Sequence, residues 1–373
     1  MERTRQTGLH NYGFNCFMNS TLQCLKSLDS VQKEIYHDSG EKDKEILMQL
    51  EKYNDDRSGD FEIEINGATK KIDEDMFKLY GVYYNLKNIL YKLIENKDSN
   101  VDVGSFIMAC KKYGSNSQLF TGEQCDTQEF LTYLLDILHK SKEHTKDIEI
   151  PDTECNTLLD IINKDAMIKF KKEYGKKYSW IVREFGSMTL SIIKCDKCNY
   201  FVHPIEPILM TILQIPDERN VTLYDCLDHF YGKDVLEDDE AWKCDKCGNK
   251  DGNYKDGRML DFPKCMIIVI SRFSYNVKGN RWIKHKQMVD APEVINLARY
   301  SIDKDCEEKK DAYTYELKSV SNHIGDVGGG HYFAHCKFNN QWYRMDDESC
   351  SPLEKDGVMT NNAYVLFYEK VRK

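Results

Sequence analysis

The apolar positions of this 373-residue chain change their period about halfway along it. In the first half they recur at helical spacing. Met18, Leu22 and Leu25 predict a helix over 16–28. Phe77, Tyr80, Tyr84, Leu86, Ile89, Leu90 and Leu93 predict another over 77–95. A third, over 127–140, carries an apolar stripe of Phe130, Leu131, Leu134, Leu135 and Leu138. Asp126, with Glu129 three residues on, has the form of an acidic capping box at its start. Residues 51–73 are charged and read as a solvated face, and the alternating FEIEI at 61–65 predicts an edge hairpin or insertion. From about Thr189 the pattern breaks into short runs with turns, which predicts strands through to the end. Near the end, Tyr332, Ala334 and Cys336 alternate with Phe333 and His335; an Asn339-Asn340 turn follows, and Gln341 to Met345 reads as a return strand. Helices first and strands later is an α+β pattern.

Composition narrows the class only slightly. A 41% hydrophobic, 31% charged chain is ordinary for a globular protein, and this length accommodates one large domain or two to three. The net charge of -10 argues against an electrostatic grip on nucleic acid, which calls for a basic face. No apolar run approaches the ~20 residues of a membrane-spanning helix. The start, MERTRQTGLHNY, lacks the apolar core of a secretory signal. Neither a membrane nor secretion is therefore expected, and a monomer is. The 14 scattered cysteines read as free thiols in a reducing compartment, cytoplasm or nucleus.

Two segments carry candidate chemistry. The first is GLHNYGFNCFMNSTLQCL, from Gly8 to Leu25. It places Cys16 at or near a helix N-terminus, where backbone N–H groups and the helix dipole favour thiolate. Gly8 and Gly13 allow an unusual backbone path into it. Asn11 lies close enough for its amide to help hold an oxyanion. The second segment is GGGHYFAHCKFNNQWYRMDD, from Gly328 to Asp347. Its glycine run suggests a mobile loop ahead of His331, and its return strand ends at Asp346-Asp347, within reach of that ring. A cysteine nucleophile needs a base, and the base an orienting group. Cys16, His331 and Asp346 fill these roles, with Asp347 as possible support. On residues alone, Cys16 could be a buried small hydrophobe, and His323 and His335 compete with His331.

Two CxxC pairs, Cys195/Cys198 and Cys244/Cys247, have the spacing of metal knuckles. Four thiolates make a closed, structural zinc site. A long β-hairpin pinned at its ends would explain the stretch between the pairs.

These segments resemble the signature boxes of the ubiquitin-specific proteases, a family of cysteine deubiquitinases. Gly8, Leu9, Asn11, Gly13, Cys16, Met18, Asn19 and Ser20 match the first box; Phe14-Asn15 and Phe17 depart from it. Gly330, His331, Tyr332, Trp342, Tyr343, Asp346 and Asp347 match the second, with Met345 in place of an aromatic residue. GEQCDTQEFLTYLLDIL from Gly122, FPKCMIIVISRF from Phe262, YELKSVSNHIGDVGGGHY from Tyr315 and NAYVLFYEK follow in the family's order. The resemblance implies a papain-like fold with a helical thumb (1–165), β-rich fingers (186–260) holding the zinc, and a β-rich palm (166–185 and 261–373). It implies hydrolysis at the C-terminal glycine of ubiquitin, with ubiquitin and ubiquitinated proteins as partners. Asp126, Glu129, Gly330 and Tyr332 would contact the substrate tail. The loop 322–330 and the hairpin at 274–280 would be gates. A protease for a ubiquitin-like modifier, a silent ubiquitin-binding module and a general papain-like protease are the alternatives.

Overall fold

The helical periods of the first half form helices. The computed structural model describes residues 6–37, 46, 48–50, 61–65, 68–113, 117–152, 154–218, 220–237, 241–277, 279–303 and 311–371. They fall into two compact units. One comprises Met1–Glu143, Tyr275–Lys284 and Lys318–Phe367; the other comprises His144–Ser274, His285–Leu317 and Tyr368–Lys373.

In the first unit, α1 (Cys16–Lys26) is buried on every face. Its apolar side chains enter an aromatic core, with Phe17 edge-on to Phe130 at 5.3 Å. Its polar side chains are buried as well, and buried polar groups need partners. Ser20 bonds Ser321 at 2.7 Å, Gln23 donates to the Thr7 carbonyl at 2.9 Å, and Lys26 donates to Gln6 Oε1 at 3.1 Å. Around α1 lie α2 (Asp29–His37), α3 (Glu74–Glu95), α4 (Gly104–Tyr113) and α5 (Thr127–Ser141). Asp73 caps α3 through Met76 N–H, and Asp126 caps α5 through Gln128 and Glu129 N–H. The FEIEI run pairs antiparallel with Ala68–Ile72 and buries Ile63 and Ile72. The rest of that charged stretch, 51–60 and 66–67, lies outside the described residues.

The sheet of this unit has the strand order Ser349–Leu353, Gln341–Asp346, Gly329–Phe338, Thr314–Asp326, Ala363–Lys370. The expected strand and return strand around Asn339-Asn340 are present, with Ala334 opposite Met345. The glycine run differs from expectation. It is not an open loop: Gly329 and Gly330 are paired with Asp326 and Gly325 in a tight hairpin. Glycine is required there, because a Cβ on Gly330 would sit 2.2 Å from the Ile324 carbonyl oxygen and 2.4 Å from His323 Nε2.

In the second unit, Ser187–Lys194 pairs with Tyr254–Asp261 on one edge and with Ile205–Ile208 on the other. Cys265–Ser271 runs parallel to Thr211–Gln214. The strands in this half are short, as the sequence pattern predicts; α6 (Leu158–Tyr174) and α7 (Trp180–Phe185) precede them, and α8 (Leu223–Tyr231) interrupts them. Thr222 and Asp225 form a reciprocal capping box that starts α8 inside the β-rich half. Among the described residues, no helix is long and apolar enough to cross a membrane.

Candidate functional site

Cys16 opens α1, and the way α1 begins sets its surroundings. The N-cap residue, Asn15, makes no side-chain capping bond, and no acidic residue lies in the first turn. The Asn15 side chain instead accepts from Tyr12 N–H at 2.7 Å and donates to the His10 carbonyl at 3.0 Å. The first N–H groups of a helix have no partner within it. Here they are left for whatever negative charge forms beside the thiol.

His331 is hydrogen-bonded to Asp346, and the Cys16 thiol lies beside its ring. Its Nε2 lies 2.6 Å from Asp346 Oδ1, which leaves Nδ1 to face the neighbouring Cys16 thiol. The Asp346 contact, and after it the Cys16 contact, push the ring up to about 10 against partial burial. Asp346 is held below its usual range, first by His331, with Arg344 assisting against burial. Arg344 grips the far carboxylate oxygen at 2.7 and 3.2 Å, and its guanidinium lies 3.8 Å from the centre of the Phe333 ring. The competing histidines are placed elsewhere. His335 is buried, with Nδ1 2.8 Å from the Val358 carbonyl. His323 Nδ1 lies 2.9 Å from Lys284 Nζ. Burial, then Lys284 and His331, push His323 down to about 4, so it is neutral at neutral pH.

Asp347 has different neighbours. The chain there is left-handed, with φ of 52°, and the carboxylate accepts from Asn11 Nδ2 at 2.6 Å and from buried Asn19 Nδ2 at 2.8 Å. Its carbonyl accepts Leu9 N–H at 2.9 Å. Asp347 thus straps the 9–19 segment to the end of the Gln341–Asp346 strand. Gly8 allows the close approach, since a Cβ there would lie 2.6 Å from the Glu348 carbonyl oxygen. Donor atoms of His331, Asp346 and Asp347 all fall within 4.8 Å of one another.

Asp126 does more than cap α5. It also accepts from the hydroxyls of Tyr364, at 2.9 Å, and Tyr332, at 3.3 Å. Tyr332 is buried, while Glu129 is exposed on the first turn. Gly330 N–H donates to Gln124 Oε1 at 3.0 Å. The sequence reading named neither Gln124 nor Arg344 nor Asn19 as site residues. The one signal for Arg344 is its position two residues before Asp346, which puts both side chains on one strand face.

The four knuckle cysteines converge in the second unit. Cys195 and Cys247 sulfurs are 3.6 Å apart, as are those of Cys198 and Cys244, and all four lie within 4.8 Å of one another. Left-handed turns at Asn199 and Gly248 close the knuckles. Buried Asn253 joins them, accepting from Asp196 N–H and donating to the Asn249 carbonyl. An all-sulfur set with this convergence could hold a metal ion. The strands beside the knuckles pair from Lys194 opposite Tyr254, but the stretch between the cysteine pairs carries further short strands and α8, not a plain hairpin.

A profile of the family described as ubiquitin carboxyl-terminal hydrolase matches residues 7–368. The chain belongs to the ubiquitin carboxyl-terminal hydrolase family. Relatives in this family include the Drosophila melanogaster ubiquitin carboxyl-terminal hydrolase Usp2, 27% identical over 371 residues, covering 97% of this chain and 34% of the relative. The human ubiquitin carboxyl-terminal hydrolase 2 is 27% identical over 377 residues, covering 97% of this chain and 54% of its own length. The chain thus spans about a third to about half of these relatives. Among solved structures, the SAGA Ubp8/Sgf11/Sus1/Sgf73 DUB module bound to ubiquitin aldehyde superposes with a TM-score of 0.69 at 23% identity, covering 100% of this chain and 71% of that one. The fold is accordingly the papain-like α+β fold of this hydrolase family.

Proposed function

We propose that this chain is a thiol-dependent deubiquitinase that hydrolyses the isopeptide or peptide bond after the C-terminal glycine of ubiquitin. The observation that carries the reading is His331 held between Asp346, at 2.6 Å, and the Cys16 thiol at the open end of α1. With Asp346 holding the ring, His331 takes the Cys16 proton and so makes the nucleophilic thiolate. The thiolate attacks the glycine carbonyl and a C–S bond forms. The negative oxygen is met by the Cys16 backbone N–H and by Asn11. Asn11 spends one amide hydrogen on Asp347 and retains a second for the oxyanion. His331 gives its proton to the departing amine as the C–N bond breaks. It then draws a proton from water, which hydrolyses the thioester. Asp346 keeps the ring aligned throughout, and Asp347 holds Asn11 in place.

The wider proposal follows the family pattern. Residues 1–165 form the thumb, 186–260 the fingers, and 166–185 with 261–373 the palm. Glu129, Gly330 and the Asp126–Tyr332 pair border the basic tail of ubiquitin. Cys195, Cys198, Cys244 and Cys247 bind one structural zinc ion, supported by their convergence and all-thiolate chemistry. Reduced thiols at both sites go with a cytoplasmic or nuclear setting.

The test is a ubiquitin whose C-terminus carries a thiol-reactive electrophile. A single adduct located on Cys16 by mass spectrometry supports the reading. An adduct formed with a ubiquitin-like modifier instead would redirect the substrate assignment. No adduct with any modifier, in folded metal-loaded protein, would sink it.

A further inference from the structure

Lys26 is a buried cation with no carboxylate paired to it among the described residues. It ends α1, is only 3% exposed, and its ammonium is bonded to the neutral Gln6 Oε1 at 3.1 Å. Its other neighbours are the face of Phe338, 4.7 Å from the ring centre, and the thiols of Cys336 and Cys350. Among the described residues no carboxylate is paired with it. Burial pushes its amine down to about 8. Buried charges are ordinarily paired. The negative end of the α1 dipole, about half a charge, offsets only part of the cost.

The same lysine lines a cavity of about 440 Å³ in the first unit. Lys318 and Lys337 line it too, and among the described residues Asp29 is the one carboxylate there. Gln6, Gln32 and Asn339 add amide groups, and Phe338 and Ile94 supply an apolar wall. Among the described residues three lysines thus line the cavity, in a chain whose net charge is -10. A phosphate monoester carries about two negative charges at neutral pH. The volume falls in the range of small-molecule pockets, roughly 300–1,000 Å³. Cys16 lies at the opposite end of α1, ten residues or about 15 Å away, so an occupant here is not the substrate of the thiol.

We propose that this cavity binds a small phosphoryl-bearing molecule, with Lys26 as its buried partner charge and Lys318 and Lys337 at its rim. The site stands apart from the deubiquitinase reading and does not depend on it. Binding restores full protonation of Lys26, so at pH 8 the ligand enters with net proton uptake.

The experiment is calorimetric titration of the full chain with inorganic pyrophosphate and with glycerol phosphate at fixed ionic strength, in two buffers of different ionisation enthalpy. The expected result is saturable one-to-one binding with proton uptake at pH 8. Lys26→Met abolishes the uptake and weakens binding at least tenfold, and Lys337→Gln weakens binding several-fold with uptake retained. Should Lys26→Met fail to fold, the wild-type uptake and Lys337→Gln decide the matter. No saturable heat with either compound, or binding unchanged in the variants, overturns the proposal. Binding of a phosphoserine peptide but of neither small phosphate overturns the small-molecule assignment.

Discussion

Replacing Asp346 by asparagine poses a choice that the structure makes unfavourable. Asp346 now serves two donors, His331 Nε2 at 2.6 Å and Arg344 at 2.7 and 3.2 Å. An amide has one oxygen to offer, and the permanently charged guanidinium is the stronger claimant. The oxygen turns to Arg344, and the amide N–H₂ faces His331. That forces Nε2 to accept and puts the ring proton on Nδ1, toward the thiol, where it cannot take one. In the serine-protease template the equivalent tautomer error costs about 10⁴ in turnover. Asp346→Asn should therefore lose roughly 10³–10⁴-fold in kcat. Adding Arg344→Met frees the oxygen to accept from His331 and should recover at least tenfold of the loss. The assay is ubiquitin C-terminal fluorophore release across pH. Asp346 is also the first cause of the raised His331 value of about 10, so the alkaline limb should move down by one or more pH units in the single variant. Stability follows the same sign. The stabilisation from protonated His331 is full below its ordinary value of 6.5 and is lost as pH rises through about 10. The Asp346 contribution is present above its ordinary 3.8 and is lost as pH falls through its lower folded value. A double variant no more active than Asp346→Asn alone would refute this competition.

Other expectations follow from single contacts. Asn11→Ala should slow turnover on the order of 100- to 1,000-fold without abolishing it, whereas Cys16→Ala should be inactive; stopped assays with long incubation separate the two. Gly330→Ala pushes a Cβ against the Ile324 carbonyl and His323. It should cost about 1–3 kcal/mol, read as a lower melting temperature together with reduced kcat. Cys247→Ser or chelation should drop bound metal from one ion per chain to near zero. It should also open the strands beside the knuckles to limited proteolysis, while the His331–Asp346 pairing survives; elemental analysis and fragment mapping check both.

Much of this was legible because the relevant signals are local. The apolar stripes after Cys16, Phe77 and Thr127 mark helices that the structure contains within a few residues. The alternation after His331 and the Asn339-Asn340 turn mark a strand pair. Two CxxC pairs mark a thiolate cluster. What escaped depends on contacts distant in sequence. Periodicity shows that α1 has an apolar stripe, but not that its polar face is buried, so nothing local marks the burial of Asn19 and Lys26. The helix α8 is nine residues long, too short for a clear period, and its signal is the Thr222–Asp225 cap. Three consecutive glycines suggest a loop until the opposite strand is known. Gly330 paired with Gly325, and Gly329 with Asp326, permit a hairpin tighter than any side chain allows. Arg344 acquires its meaning only when Asp346 turns toward His331.

The central claim is that Cys16, activated by His331, cleaves at the C-terminus of ubiquitin. The most direct measurement is release of a fluorophore from that C-terminus by the folded, metal-loaded chain, beside Cys16→Ala. The account predicts steady turnover by the wild type and none by the variant. Release that persists in Cys16→Ala, or no release by a wild type that still binds ubiquitin, would contradict it.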